Sequence, residues 1–213
     1  MNTDGHRLKT PLSSVFRCID LRLGRIACFA SFIVAVAPAC LTAAADDLAD
    51  KIRAGMLVEF ARYTTWPDHK FKGQDQPLVI GVLDEEGLAT VLSKLTGGGA
   101  VTVHGRPIEV RVLPRLDPDQ EADARRLEAE SQSLHVLYIG EPSRGRRREL
   151  LRRLEGTAVL TVSESASFAD DGGMIGLFLR GKRYRFDIHK GAIDRAGLKI
   201  KATVLELADR VIR

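Results

Sequence analysis

Near-continuous apolar runs recur along the chain, separated by segments with helical spacing. Two such runs cover residues 77–83 and 134–139, and Val159–Val162 begins a third. Runs of this kind are typical of strands buried on both faces, as in parallel sheets. Strands that alternate with helices predict an α/β fold, here a single layered domain with a mostly parallel sheet flanked by helices.

The helical segments differ in how strongly their apolar faces are marked. One face of the first helix, which we expect to end at Pro67, is formed by Leu48, Ile52, Met56, Leu57 and Phe60. Residues 86–95 predict a short second helix, and residues 117–133 predict a polar, peripheral one. An arginine-rich helix follows at residues 144–154, and a final helix is expected from about Ile200.

The last third of the chain predicts an antiparallel C-terminal hairpin. Its arms are Met174–Leu179 and Tyr184–Ile188, joined by Arg180-Gly181-Lys182. Before the first arm, Gly172 and Gly173 follow two aspartates. Because glycine tolerates backbone angles that other residues avoid, this pair predicts a tight structural turn at the strand entrance.

The first 45 residues have the order of a secretory signal peptide. A basic segment with Arg17, Arg22 and Arg25 precedes the apolar run 26–37, and Ala43 and Ala45 supply the small residues of a cleavage site. We therefore expect residues 1–45 to be removed and residues 46–213 to form one periplasmic domain. The run is also about as long as a membrane anchor, and Cys40 follows a poor match to a lipidation motif.

Removing this segment changes the charge of the protein. Of 32 basic and 28 acidic residues, five and two lie in residues 1–45, which leaves 27 and 26. The basic pI of about 9.1 is therefore no argument for nucleic-acid binding. The arginines of residues 144–153 form either a solvated helix face or a surface for an acidic partner or anionic lipid.

Catalytic and metal-binding patterns are missing from the sequence. The histidines after residue 45 are His69, His104, His135 and His189, and none has a ligating partner at helical spacing. Nucleophile elbows, phosphate loops and EF-hand loops do not occur either. We therefore expect no enzyme, no cofactor and no metal. Trp66 is either a packing anchor or, with Tyr63 and His69, one wall of a binding site.

Three short blocks in a fixed order carry a family resemblance. They are Phe60–Pro67; Val159–Ser163 with Phe168 and Gly172–Ile175; and Arg185–Ile188 with Ala192 and Ala196–Leu198. In these blocks the chain resembles the YfiR/HmsC-like family of bacterial periplasmic regulators. It differs at His189, where the family usually has asparagine, and it lacks the paired cysteines of some members.

The resemblance implies a function and partners. The protein would bind and repress an inner-membrane diguanylate cyclase through the periplasmic domain of the cyclase, and thereby control cyclic-di-GMP and biofilm formation. An outer-membrane, peptidoglycan-associated lipoprotein would titrate the protein away, and the family allows a homodimer. We expect Tyr63, Trp66, Arg183, Arg185 and His189 to bind a partner or ligand.

A periplasmic small-molecule binding or sensor protein is the alternative. In parallel sheets, ligands bind beyond the carboxyl ends of the strands. The sequence places Asp84, Gly140 and Ser163 at these ends. The alternative therefore predicts a ligand cleft beside these three residues.

Overall fold

A computed structural model describes residues 47–73, 75–99, 101–140 and 143–213. Residues 47–213 form one compact unit. The predicted leader, its cleavage residues Ala43 and Ala45, and Cys40 lie outside the described residues. None of the helices in the described part is both long and apolar enough to cross a bilayer.

The chain alternates helices and strands, as the sequence predicts. The helices are α1 (47–63), α2 (Glu86–Thr96), α3 (Glu121–Ser131), α4 (Arg144–Arg153), α5 (Lys190–Arg195) and α6 (Ala202–Leu207). The strands are β1 (Thr64–Thr65), β2 (Leu78–Leu83), β3 (Thr102–Val103), β4 (Arg106–Leu113), β5 (Val136–Ile139), β6 (Leu160–Glu164), β7 (Ile175–Arg180), β8 (Arg183–His189), β9 (Lys199–Ile200) and β10 (Arg210–Ile212).

Eight of these strands form one sheet in the order β10-β8-β7-β6-β5-β2-β4-β3. From β4 through β2, β5 and β6 to β7 all pairs are parallel, whereas β7 and β8 form an antiparallel hairpin. The predicted α/β class, with a mostly parallel sheet and a hairpin near the C-terminus, is confirmed. A separate two-stranded ladder joins β1 to β9.

The sheet is buried on both faces because alternate side chains of its central strands enter two different cores. On β2, Leu78, Ile80 and Val82 pack into a core with α1 and α2. Val79 and Leu83 enter a second core, with Leu127 of α3 and the leucines of α4. This two-sided packing explains the near-continuous apolar runs of the sequence.

The segment after α1 is tied to the sheet through Trp66. Its side chain is 5% exposed, and its indole N–H donates to the carbonyl oxygen of His135 over 3.0 Å. The ring also meets Phe71 and His135 edge-on. Trp66 is therefore a packing anchor that fixes the chain after α1 against the start of β5.

The predicted final helix is wrong in its second half. Helix α6 ends at Leu207, and residues 210–212 form β10, which pairs with β8 in parallel. Val211 and Ile212 therefore belong to an edge strand. Arg210 explains the change, because its guanidinium donates to Asp187 of β8 and to Asp170 over 2.7–3.0 Å.

Candidate functional site

Strand β2 is the point where the connections change sides: β4 lies on one side of it, and β5 and β6 follow on the other. A crevice opens at such a point beyond the carboxyl ends of the strands. Asp84 follows β2 there with a φ of 59°, a left-handed angle that is uncommon outside glycine. Gly140 follows β5, and a Cβ at that position would lie 2.9 Å from the carbonyl oxygens of Leu83 and Asp84. The segments that follow β2 and β5 therefore pack closely against each other at the bottom of the crevice.

Arg53 of α1 is the central cation of this crevice, and its side chain is 12% exposed. Its Nη1 donates to Tyr138 Oη over 3.2 Å and to Glu164 Oε2 over 3.0 Å. Its Nη2 donates to Asp50, and it lies 3.5 Å from Glu85 Oε1. The pKa of Arg53 lies above its usual value. Burial alone would lower this pKa, but Tyr138, Glu164 and Asp50 raise it by more, so the guanidinium stays charged.

Two tyrosines bring hydroxyl groups to the same crevice. Burial raises the pKa of Tyr138 to about 12, and burial beside Glu164 raises the pKa of Tyr184 to about 12. Both hydroxyls are therefore protonated at neutral pH, and that of Tyr184 donates to Glu164 Oε1 over 3.2 Å. Burial also raises the pKa of Glu85, although Arg53 opposes this effect.

The crevice contains a cleft of about 270 Å³. Its walls are formed by Arg53, Glu85, Tyr138, Ile139, Gly140, Arg147, Ser163 and Glu164. Ser163 donates its hydroxyl to the carbonyl oxygen of Ile139 over 2.6 Å and so ties β6 to β5. We name this space the switch-point cleft. Two residues of the predicted ligand cleft, Gly140 and Ser163, line it directly, and Asp84 lies beside Gly140.

The arginine-rich helix α4 binds the loop before β7. Guanidinium groups of Arg144 and Arg148 lie 2.7 and 2.8 Å from Oδ1 of Asp171, a side chain with 0% exposure. Their hydrogen bonds hold the pKa of Asp171 below its usual range. Arg152 pairs with Glu149 instead. The arginines thus divide between an internal ion-pair cluster and the exposed pairs of a solvated helix face.

Gly172 and Gly173 shape the loop that carries Asp171. Gly172 has a φ of 98°, which an ordinary side chain rarely adopts. A Cβ at Gly173 would lie 2.2 Å from the ring of Phe168, which is fully buried. Gly172 is therefore required for its backbone angle, and Gly173 because the Phe168 ring packs directly against its backbone.

The residues predicted to bind a partner or ligand are not brought together. Arg183 and Arg185 are exposed on β8, next to the turn of the hairpin. His189 ends that strand, and its Nδ1 accepts from the backbone N–H of Ala192, so it caps α5. Trp66 is buried, and half-buried Tyr63 lies beneath the ammonium of Lys201.

Sequence reasoning missed the residues that define the switch-point cleft. Arg53 is separated from Tyr138 and Glu164 by 85 and 111 residues. No local spacing could connect them, because only the order of the strands brings them together. Asp50 and Arg53 do not belong to the apolar face predicted for α1, so the pattern offered no signal for them. That face is also wrong at its start, because Leu48 and Ile52 are exposed. In the described residues, His, Cys, Asp and Glu form no cluster of three suited to a metal ion.

Comparison with known proteins gives a family and a fold. The model of a family described as YfiR/HmsC-like matches residues 50–209. The chain is similar to the ABC domain from Streptococcus pneumoniae, solved in complex with L-Trp, at 13% identity and a TM-score of 0.52, covering 75% of this chain and 60% of that one. It is also similar to a conserved domain protein from Vibrio cholerae O1 biovar eltor, at 17% identity and a TM-score of 0.45, covering 62% of this chain and 54% of that one. The chain thus spans less than two thirds of either protein, and the first likeness shows a shared fold alone.

Proposed function

The chain belongs to the YfiR/HmsC-like family, and we propose that it acts as a regulatory protein in the periplasm and not as an enzyme. The match over residues 50–209 carries this proposal, because it includes nearly the whole described domain. Its partner would be an inner-membrane diguanylate cyclase with a periplasmic sensor domain. The protein would repress cyclic-di-GMP synthesis and biofilm formation, and an outer-membrane, peptidoglycan-associated lipoprotein would remove it from the cyclase.

The physical requirement for repression is a difference in affinity. A regulator shifts the equilibrium of the cyclase only if it binds the inactive state of the sensor more tightly than the active state. A shift from about 99% active to about 99% inactive needs a difference of about 10⁴-fold. A rigid binding surface favours such selectivity, because a flexible surface adapts to both states.

The end of the β7–β8 hairpin supports this proposal as a contact surface. Arg183 and Arg185 are exposed there, and they share one face of the hairpin with Phe178, a partly buried side chain that pairs with Arg185. Arg180 makes two 2.6 Å hydrogen bonds to Asp209, which fix the hairpin end to the segment before β10. Arginine beside a partly exposed aromatic side chain on a fixed strand is typical of protein interfaces.

A pull-down tests the proposal. Protein produced from the full-length sequence is purified and offered to the periplasmic domains of the host's membrane cyclases. The variant Arg183→Glu/Arg185→Glu reverses two charges on the hairpin, and Arg125→Glu/Arg126→Glu reverses two exposed charges on α3 as a matched control. We expect capture of one cyclase domain, lost in the hairpin variant and retained in the control. Folded protein that captures none of the domains would contradict the proposal.

The switch-point cleft favours a second candidate function, small-molecule binding or sensing. The cleft lies where α/β sheets usually hold ligands, and charged and hydroxyl side chains converge on it. A thermal shift produced by a small molecule in the absence of any partner would support this function. The two functions are compatible if the ligand changes the affinity for the cyclase.

A further inference from the structure

A second cavity lies toward the amino ends of β6 and β7, away from the switch-point cleft. It has a volume of about 260 Å³ and opens between α4, α5 and the loop that precedes β7. Its floor is apolar, because it is formed by side chains that are each at most 9% exposed: Leu151, Leu154, Met174 and Ala192. We name this space the α4–α5 cavity. An apolar floor of this kind suits an organic group and not an inorganic ion.

The α4–α5 cavity contains a buried hydrogen-bond donor that the described residues leave unused. Thr161 lines the cavity and is 3% exposed, and its Oγ1 accepts the backbone N–H of Met174 over 3.1 Å. A hydroxyl also carries a proton to donate, and the proton of Thr161 has no acceptor in the described part of the chain. Because an unsatisfied buried donor is costly, this hydroxyl favours a ligand that brings an acceptor atom.

The wall of the α4–α5 cavity has one more positive than negative charge. Three guanidiniums and two carboxylates line it, those of Arg148, Arg152, Arg195, Asp171 and Glu155. The side chain of Asp171 is fully buried and is already shared by two guanidiniums, those of Arg144 and Arg148. Glu155 is exposed and forms no ion pair within the described residues. A ligand with a single negative charge would offset the excess.

Arg195 is the wall guanidinium that remains available to such a ligand. It is exposed at the last position of α5, and it forms no hydrogen bond or ion pair with the residues that the structure describes. Arg148 is instead held by Asp171, and Arg152 by Glu149. A guanidinium presents a planar fork of N–H donors that matches the two oxygens of a carboxylate. The available cation, the unused donor and the apolar floor therefore all fit an organic carboxylate.

We propose that the α4–α5 cavity binds a small organic monocarboxylate. The carboxylate accepts from the guanidinium of Arg195, an oxygen of the ligand accepts from the hydroxyl of Thr161, and the apolar body lies on the floor. The volume of about 260 Å³ lies below the ~300 Å³ at which small-molecule sites usually begin, so the ligand is small. This site is separate from the switch-point cleft and depends on neither of the functions proposed above.

Matched pairs of probes test the ligand class. Isobutyrate, 3-methylbutanoate and benzoate are compared with their neutral amides, and chloride and inorganic phosphate serve as anions without an apolar body. Protein produced from the full-length sequence is melted with each compound at equal concentration and ionic strength. We expect at least one carboxylate to raise the melting temperature in a saturable way, because a ligand of the native state stabilises it, and its amide and the inorganic anions to have no effect. Equal shifts within every pair, an equal shift with phosphate or chloride, or no shift with any carboxylate would overturn the assignment.

Variants locate the site. Arg195→Gln removes one exposed charge, and we expect it to weaken binding of the stabilising carboxylate about 10-fold or more in calorimetric titration. Arg126→Gln, at an exposed position of α3, is the matched control and should bind like the wild type. Thr161→Val removes the hydroxyl and should weaken binding about 5-fold, whereas Thr161→Ser keeps the hydroxyl and should retain it. Undiminished binding in both Arg195→Gln and Thr161→Val would place the carboxylate elsewhere and overturn the assignment.

Discussion

Acid is expected to destabilise this protein through one buried histidine. His135 is 0% exposed at the start of β5, where its Nδ1 accepts the backbone N–H of Val79 over 3.0 Å. Its ring stacks on Phe71 at 4.4 Å. Burial first, and then the charges of Lys70 and Arg106, lower the pKa of His135 from 6.5 to about 4. Protonation of Nδ1 would also break the hydrogen bond from Val79.

The size of the effect follows from proton linkage. Below pH 6.5 the unfolded state binds a proton that the folded state refuses until about pH 4. Stability is therefore lost as the pH falls through this window and is fully present above it. Between pH 7.5 and pH 5 these two pKa values predict a loss of about 2 kcal/mol in the free energy of unfolding.

Urea denaturation at a series of pH values measures this loss. The variant His135→Asn places an amide oxygen near the position of Nδ1, so it keeps an acceptor for Val79 and removes the titration. We expect the wild type to lose about 2 kcal/mol more than this variant between pH 7.5 and pH 5. The exposed His69, replaced by asparagine, is the matched control and should follow the wild type. Parallel pH profiles of wild type and His135→Asn would refute the reasoning.

Two packing predictions concern stability at neutral pH. Trp66→Phe removes the indole N–H that bonds the carbonyl of His135, and it should lower the free energy of unfolding by roughly 1–3 kcal/mol in urea denaturation; an unchanged value would show that Trp66 is no anchor. Gly173→Ala would push a methyl group into Phe168 and should cost about 1–3 kcal/mol or more. Gly55 lies in α1, and a Cβ added there would have nothing within 4 Å. Gly55→Ala should therefore stabilise the protein by roughly 0.5–1 kcal/mol. A similar effect of Gly173→Ala and Gly55→Ala on the free energy of unfolding would contradict the packing account.

The layers of the fold could be predicted from the sequence because a strand that is buried on both faces has apolar residues at nearly every position. Both faces of β2 and β5 are covered, and their residues are accordingly apolar at nearly every position. The C-terminal segment has no such run of apolar residues. Residues 204–212 have apolar positions at intervals that suit a helix, but the ion pairs of Arg210 with Asp170 and Asp187 hold the last residues in the sheet. Contacts between distant residues decided the structure there.

The location of the candidate site could be predicted from the sequence, but the full set of residues that form it could not. Carboxyl ends of parallel strands lie at one edge of the sheet, so the positions of Gly140 and Ser163 could be expected. Arg53 could not, because it reaches the cleft from α1, a helix with no strand-end signal. The hairpin arginines Arg183 and Arg185 were placed on a strand from alternation alone, and their role as a binding surface stays a prediction.

Cellular cyclic-di-GMP is the most direct measure of the central claim, that this protein represses a diguanylate cyclase. The cyclic-di-GMP content is compared between the parent strain, a strain lacking the protein, and one lacking both the protein and the captured cyclase. Repression predicts that loss of the protein raises the content and that loss of the cyclase cancels the rise. It also predicts that the Arg183→Glu/Arg185→Glu variant fails to restore the parent level, whereas the control variant on α3 restores it. An unchanged content without the protein, or a rise that persists without any periplasm-sensing cyclase, would contradict the claim.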